Sequence, residues 1–238
     1  MSTLRLEIDP AVAAEYPEIL VGGFVVDGLD RLSGVPEDVF SSARPDLEGD
    51  GLTLQNLPGD PRIQGWREAI GRCGLKASTF KSSPEQLGRR LLKGGEISTP
   101  IPVVNAYCAV SARHLAAMGG YDLSRLPVTD LRLRPARPEA DSFSPIGGKS
   151  KDFPLSEKVV VYAAGDEVIC FAFNHRDSRN TSITPETRRA VFFSEGASRA
   201  HHDSVRKSLA ELADRLRGWG ASPEPAAYAT ATDPELSL

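Results

Sequence analysis

Residues 158–174 read KVVVYAAGDEVICFAFN. Two β-branched and aromatic runs flank an Ala-Gly-Asp-Glu turn, the pattern of an antiparallel hairpin with buried strands. The chain continues as FAFNHRDSRNTSIT over 171–184, so a polar stretch follows directly on the most apolar run. A turn is satisfied by Gly, Pro, Asn or Asp. The adjacent Arg176 and Asp177, with Asn174 and His175 before them, need a further reason. Either they line a pocket at the end of the hairpin, or Arg176 and Asp177 pair to brace a loop against the sheet.

Strands are expected on either side of this hairpin. Residues 4–8 and 19–26 (ILVGGFVV) read as strands, the second largely buried. DLRLRPA at 130–136 alternates as a strand with one wet face, and the AVFF run within 184–196 reads as another buried strand. Helices are expected at 61–73, with Ile63, Trp66 and Ile70 on one face, and at 102–118, with Val104, Cys108, Leu115 and Met118. A last amphipathic helix is expected at about 203–218, carrying Val205, Leu209, Leu212 and Leu216. Residues 27–60, rich in Gly, Pro and Asp, read as loops and short helical turns. The Pro- and Ala-rich end, 220–238, reads as a disordered tail. The expected class is α+β: mixed sheets in a sandwich-like core with flanking helices, one domain over 1–219 with its motif-bearing core at 60–196.

The sharpest local signal is TFKSSPEQLGRRLLKGG, 79–95. Ser83 suits an N-cap, Pro84 the first helical position and Gln86 the capping-box partner. Leu87 and Leu91 make a stripe, and Gly94-Gly95 stops the helix. The free amides at its start, beside Lys81, Ser82 and Ser83, offer an anion site; a plain capped surface helix is the other reading. Asn105 and Tyr107 stand near the start of the next helix, where each can face a cavity or serve as a satisfied partner of a neighbouring loop. Gly147-Gly148 permits a close backbone approach.

The 238 residues carry a net charge of −4, which argues against broad nucleic-acid binding. Charge is nonetheless segregated. Residues 27–60 hold eight acids against Arg31 and Arg44, and 61–95 hold eight bases against Glu68 and Glu85. Such a basic segment guides a polyanion to one place, or it is simply a solvated helix face. The three cysteines, Cys73, Cys108 and Cys170, are too scattered for a disulfide framework or a zinc site. His201-His202-Asp203 are adjacent on a helix and point in different directions, so no metal site is read there. No run approaches the roughly 20 apolar residues of a membrane helix, and the first ten residues lack the regions of a signal peptide. A cytoplasmic place of action without cofactor is expected. Phosphate-loop, nucleophile-elbow and metal-ligand motifs are missing.

The segments GLKASTFKSSPEQLGRRLLKGG, PIPVVNAYCAVSARHLAAMGGYDL, SFSPIGG and VICFAFNHRDSRNTSITPETRRAVFFSEG occur in this order. Together they resemble free-standing relatives of the tRNA-editing domain formed by the third and fourth modules of the bacterial phenylalanyl-tRNA synthetase beta subunit. The resemblance covers roughly 60–196. It implies an α+β fold with an unusual β-sandwich, and a trans-acting deacylase that hydrolyses the ester of a mischarged tRNA. The implied partner is the aminoacylated 3′ end of tRNA, with no membrane and no DNA. Free-standing relatives read closer to VDLYNAVS, so Asn105 stands where they carry an acid and Cys108 where they carry an amide. A pocket histidine of the synthetase domain falls near Gly119.

On this reading Arg176 holds a phosphate or carbonyl oxygen, Asp177 orients Arg176 or the substrate amino group, and Asn174 places the water or the ester. Lys81, Ser82, Ser83, Asn105, Tyr107, Gly147, Gly148 and His175 complete the expected binding surface. An aminoacyl ester is already activated, so orientation and hydrogen-bond donors suffice without a protein nucleophile. A noncatalytic tRNA- or amino-acid-binding module with the same fold remains the alternative. The tRNA, the amino acid and the oligomeric state are not legible in the sequence.

Overall fold

The computed structural model describes residues 3–238, so the first two residues of the expected 1–219 domain lie outside the described residues. Two sheets face each other. The first takes the order β11 (Glu235–Ser237), β1 (Arg5–Ile8), β4 (Asp130–Pro135), β5 (Val160–Ala164), β6 (Glu167–Phe171), β7 (Arg176–Asp177). Its β1–β4 pair is parallel and its other pairs are antiparallel. The second runs β10 (Ala227–Thr230), β2 (Leu20–Asp27), β8 (Arg189–Gly196), β3 (Ala117–Asp122), with β9 (Ser222–Pro223) on the far end of β2.

Period-2 alternation assigns each face. Val21 and Val25 of β2, with Val191 and Phe193 of β8, point at the first sheet and meet Leu6, Leu131, Leu133 and Tyr162. Leu20, Phe24 and Val26, with Ala190 and Phe192, point the other way. There they meet α5 (Pro102–His114) and α6 (His202–Gly218) through Val103, Val110, Val205, Leu209, Leu212 and Leu216. A strand packed on both faces must be apolar at every position, which is why 19–26 reads as a continuous run. A third layer joins α2 (Arg44–Gly49), α3 (Pro61–Arg72), α4 (Ser83–Leu92) and α5 around Leu47, Ile63, Leu91 and Ala106. The short α1 (Pro10–Glu15) links β1 to β2. The α+β class with a sandwich-like core and flanking helices is thus what the chain adopts.

Two expectations are corrected. The helix expected to run to 118 ends at His114, where Leu115 turns left-handed (φ 47°) and the Ala116 amide donates to the Ser111 carbonyl. Ala117 to Asp122 then form β3 against β8, so residues 117 and 118 of the expected helix, and the Gly119-Gly120 pair after them, lie inside a strand. The end of the chain is not a disordered tail. Ala227–Thr230 adds an edge to β2, and Glu235–Ser237 adds one to β1 with Leu236 buried. Short edge strands tolerate the Pro and Ala that depress a composition-based reading, and the partners that hold them lie some 200 residues away in sequence.

Candidate functional site

After β6 the chain reverses through 172–175 and returns as β7, pairing Phe171 with Arg176 and Cys170 with Asp177. The reversal uses no glycine: Ala172 (φ 51°) and Phe173 (φ 60°) are both left-handed. Side-chain-bearing residues adopt this region at a cost that the surroundings must offset. Phe173 supplies the offset. Its ring is fully buried, edge-on to Tyr16 at 5.1 Å and Trp66 at 5.5 Å.

This turn meets the start of α4. Ser82, not Ser83, is the cap residue, and neither hydroxyl caps the helix; both oxygens are buried without a hydrogen-bond partner. The expected capping box is absent because a distant side chain replaces it: the Ser83 amide donates to Asn174 Oδ1 at 3.0 Å. Gln86 donates instead to the Lys81 carbonyl at 2.8 Å and the His175 carbonyl at 3.4 Å. His175 Nδ1 donates to that same Lys81 carbonyl at 2.6 Å. Helix start and turn are stitched together through three contacts.

Between them opens a cavity of about 200 Å³. α4 contributes Ser83, Gln86 and Leu87, α5 contributes Tyr107 and Cys108, and β3 contributes Met118. Ile146 reaches in from the 142–148 loop, and Asn174, His175, Arg176 and Asp177 form the remaining wall. Six of the expected site residues therefore converge: Ser83, Tyr107, Asn174, His175, Arg176 and Asp177.

The others do not line this cavity. Lys81 contributes its carbonyl, while its ammonium donates to the Ser78 carbonyl. Ser82 is buried behind the helix start. Asn105 faces the 99–101 segment: its Oδ1 accepts the Thr99 amide at 2.9 Å and its Nδ2 donates to the Thr99 carbonyl at 3.0 Å. Gly147 and Gly148 leave the wall to Ile146, and a Cβ on Gly148 would stand 2.8 Å from the Phe153 ring.

Arg176 and Asp177 are not an ion pair. Neighbours on a strand point to opposite faces, and among the described residues Arg176 has no carboxylate partner. Its guanidinium sits 6.0 Å from the centre of the Phe153 ring, and its Nε has no hydrogen-bond partner. Asp177 turns inward and accepts the Tyr121 hydroxyl at 2.9 Å. Burial raises the Asp177 carboxyl, against the opposing pull of Cys170 and Tyr121. His175 is held neutral: burial lowers it, and the Lys81 carbonyl only partly offsets this. With Nδ1–H committed to that carbonyl, the neutral ring keeps a lone pair on Nε2. The Cys108 thiol is pushed up to about 12 by burial, although the residue keeps some open surface. A thiol this weakly acidic is not a nucleophile at neutral pH.

The basic segment 61–95 is partly paired with carboxylates. Arg67 and Arg89 both bind the fully buried Glu85, at 2.6 and 2.9 Å. Burial would raise Glu85, but the two guanidinium groups outweigh it and hold the carboxyl low. Arg62 pairs with Asp60 and Arg72 with Glu15. Among the described residues no group of three or more His, Cys, Asp or Glu side chains has the arrangement of a metal site, and none of the helices is long and apolar enough to cross a membrane.

The model of the B3/4 domain family matches residues 65–215, more than half of the chain. The chain belongs to the B3/4 domain family. This is the relationship to the phenylalanyl-tRNA synthetase beta-subunit domain that the four motifs point to. The matched span carries every residue of the cavity wall, whereas β1, β2 and β9 to β11 lie outside it and complete both sheets of this B3/4 domain. Among solved structures the chain is similar to an N-terminal fragment of the phenylalanyl-tRNA synthetase beta-subunit from Pyrococcus horikoshii. The identity is 11% and the TM-score 0.48, covering 92% of this chain and 49% of that one. The chain thus spans about half the length of that fragment. Comparison with curated proteins returns no match.

As wall residues, Gln86, Leu87, Met118 and Ile146 escaped the sequence reading. Gln86 carries a signal, since it follows the helix start, but the signal reads as capping. The rest are ordinary apolar residues whose place in the wall is set by contacts between distant segments.

Proposed function

We propose that this B3/4 domain is a trans-acting deacylase that hydrolyses the ester of a mischarged tRNA in the cytoplasm. One observation carries the reading: a neutral imidazole and an uncompensated guanidinium share the wall of an amino-acid-sized cavity. At about 200 Å³ the cavity is smaller than the roughly 300–1,000 Å³ sites of drug-sized ligands, so it suits an aminoacyl group better than a nucleotide. The aminoacyl moiety occupies the cavity and the terminal ribose stays at its mouth. Water adds to the ester carbonyl, negative charge develops on the carbonyl oxygen, and the bond to the ribose oxygen breaks. That oxygen leaves with a proton from the attacking water. Arg176 is the donor for the oxyanion. His175 Nε2 accepts a hydrogen bond from the attacking water and orients it. Asp177 and Asn174 hold Tyr121 and Ser83, so they shape the wall and do not touch the ester.

A second reading has its own support. Apart from Asp177, which is tied to Tyr121, the wall contains no carboxylate. A module that binds the aminoacyl end of tRNA without cleaving it needs no more than this wall offers. A panel of charged tRNAs, correct and mischarged, incubated with the protein separates the two. Release of one class of mischarged amino acid supports the deacylase. Binding of charged tRNA without release across the panel supports the binding module and overturns the enzyme.

A further inference from the structure

Behind the cavity wall, between the two sheets, lies a small, largely buried chamber of about 10 Å³. That is the volume of about one water-sized probe sphere. Met118, Asn174 and Asp177 separate it from the cavity, and Tyr121, Tyr162, Cys170 and Glu195 complete its polar side. Two buried polar atoms of these residues have no hydrogen-bond partner: Asn174 Nδ2 and Glu195 Oε1. Each residue is already anchored at its other end. Asn174 Oδ1 accepts the Ser83 amide at 3.0 Å, and Glu195 Oε2 accepts the Tyr162 hydroxyl at 3.2 Å. Both residues line this one water-sized space and are fixed at their other ends. Native interiors satisfy roughly 90% or more of such buried groups.

We propose that one ordered water occupies this chamber and joins Asn174 to Glu195, making Glu195 the positioning residue for the 172–177 turn and, through Ser83, for the start of α4. The chain of contacts is continuous: Glu195 on β8, the water, Asn174 in the turn, the Ser83 amide. It links the middle of the second sheet to two walls of the cavity, and it holds whatever chemistry the cavity performs.

The protonation of Glu195 follows from what faces it. β3 presents Tyr121, β5 Tyr162, β6 Cys170 and β7 Asp177; β2, paired alongside, brings the apolar Leu20 and Val21. Past the strand, His201 packs on Gly196 but directs its ring nitrogens to Ser198 and the Arg62 carbonyl. Among the described residues no cation lines the chamber. Burial accordingly pushes Glu195 up to about 8, against the pull of Asn174 and Tyr162 and with a further push from Asp177. Near neutral pH the residue is a neutral acid. Its Oε1–H and Asn174 Nδ2–H both donate to the water, which can accept two hydrogen bonds. Ionisation turns Oε1 into an acceptor and forces the water to reorient.

The test uses the whole chain with Glu195→Gln and Glu195→Leu. Thermal unfolding is followed from pH 5 to 9, and hydrogen exchange over 83–87 and 172–177 near neutral pH. Relative to Glu195→Gln, which cannot ionise, the wild type should lose stability from about pH 5 to about 8, because only its unfolded state releases the Glu195 proton there. Glu195→Leu fills the space but removes the anchor, and exchange at 83–87 should rise about fivefold, the factor for one lost hydrogen bond. A crystal structure should show a water within hydrogen-bond reach of both residues. A Gln variant with the wild-type pH slope, unchanged exchange in a folded Leu variant, or a dry chamber in crystals that show other buried waters would each overturn the proposal. Should the Leu variant not fold, the Gln slope and the crystal decide.

Discussion

Asn174 Oδ1 accepts the backbone amide of Ser83, 91 residues earlier in the chain. A helix start left open by its own serines is thereby closed by the turn that carries the polar wall of the cavity. Asn174→Ala should cost roughly 1 kcal/mol for the lost cap, and more because the Ser83 amide loses its partner. Asn174→Asp keeps the acceptor and should recover most of this at acid pH. Near pH 9 it should recover less, since a second anion then faces Glu195. Thermal melts at the two pH values check both.

Arg176→Ala should slow single-turnover release of amino acid by about 10²-fold, the scale for losing one oxyanion donor, with the melting temperature nearly unchanged because no ion pair is lost. A drop of several degrees with full rate retained would make the residue structural.

Lys81 points its ammonium at the Ser78 carbonyl and lies outside the cavity wall. Lys81→Ala should leave the rate at saturating tRNA unchanged and lower the salt dependence of tRNA binding by about one charge at most. Titrations at several salt concentrations measure this.

Gly119 lies on β3 where a Cβ would stand 2.7 Å from the Tyr121 hydroxyl, the group that donates to Asp177. Gly119→Ala should displace the ring, free Asp177 and destabilise the fold by about 1–3 kcal/mol, as overpacking does. Chemical denaturation measures the loss.

His175 and His201 are both held neutral by burial, only partly offset by the carbonyls of Lys81 and Arg62. Their folded values lie below the unfolded one, so the stability they contribute is present above about pH 6.5 and falls away as the pH drops below it. His201→Gln should flatten that acid limb relative to wild type, read as the melting temperature between pH 6.5 and 5.

Removing residues 221–238 should not leave an intact core. β9, β10 and β11 vanish, Ala229 and Leu236 lose their burial, and the edges of β1 and β2 open. Burial of one leucine alone is worth roughly 1.5–3 kcal/mol, so the truncated chain should melt well below the full one.

Local patterns in the chain determined the hairpin at 158–174, the doubly packed strand at 19–26, the leucine stripe of α6 and the apolar face of α3. In each, the spacing of apolar residues is itself the cause of the structure. The cluster at 174–177 stands out in the sequence as polar residues at the end of a buried strand, but the sequence leaves open whether they line a pocket or brace a loop. Tertiary structure decided the rest. It turned Gly119-Gly120 into strand because β8 offers a ladder there, and it ordered 222–237 because β1 and β2 had free edges. It also parted Arg176 from Asp177, because strand alternation sends one toward Phe153 and the other to Tyr121. It placed Glu195 behind Asn174, where no periodicity could signal it. Those outcomes depend on partners far away in sequence, whose positions exist only once the two sheets have closed on each other.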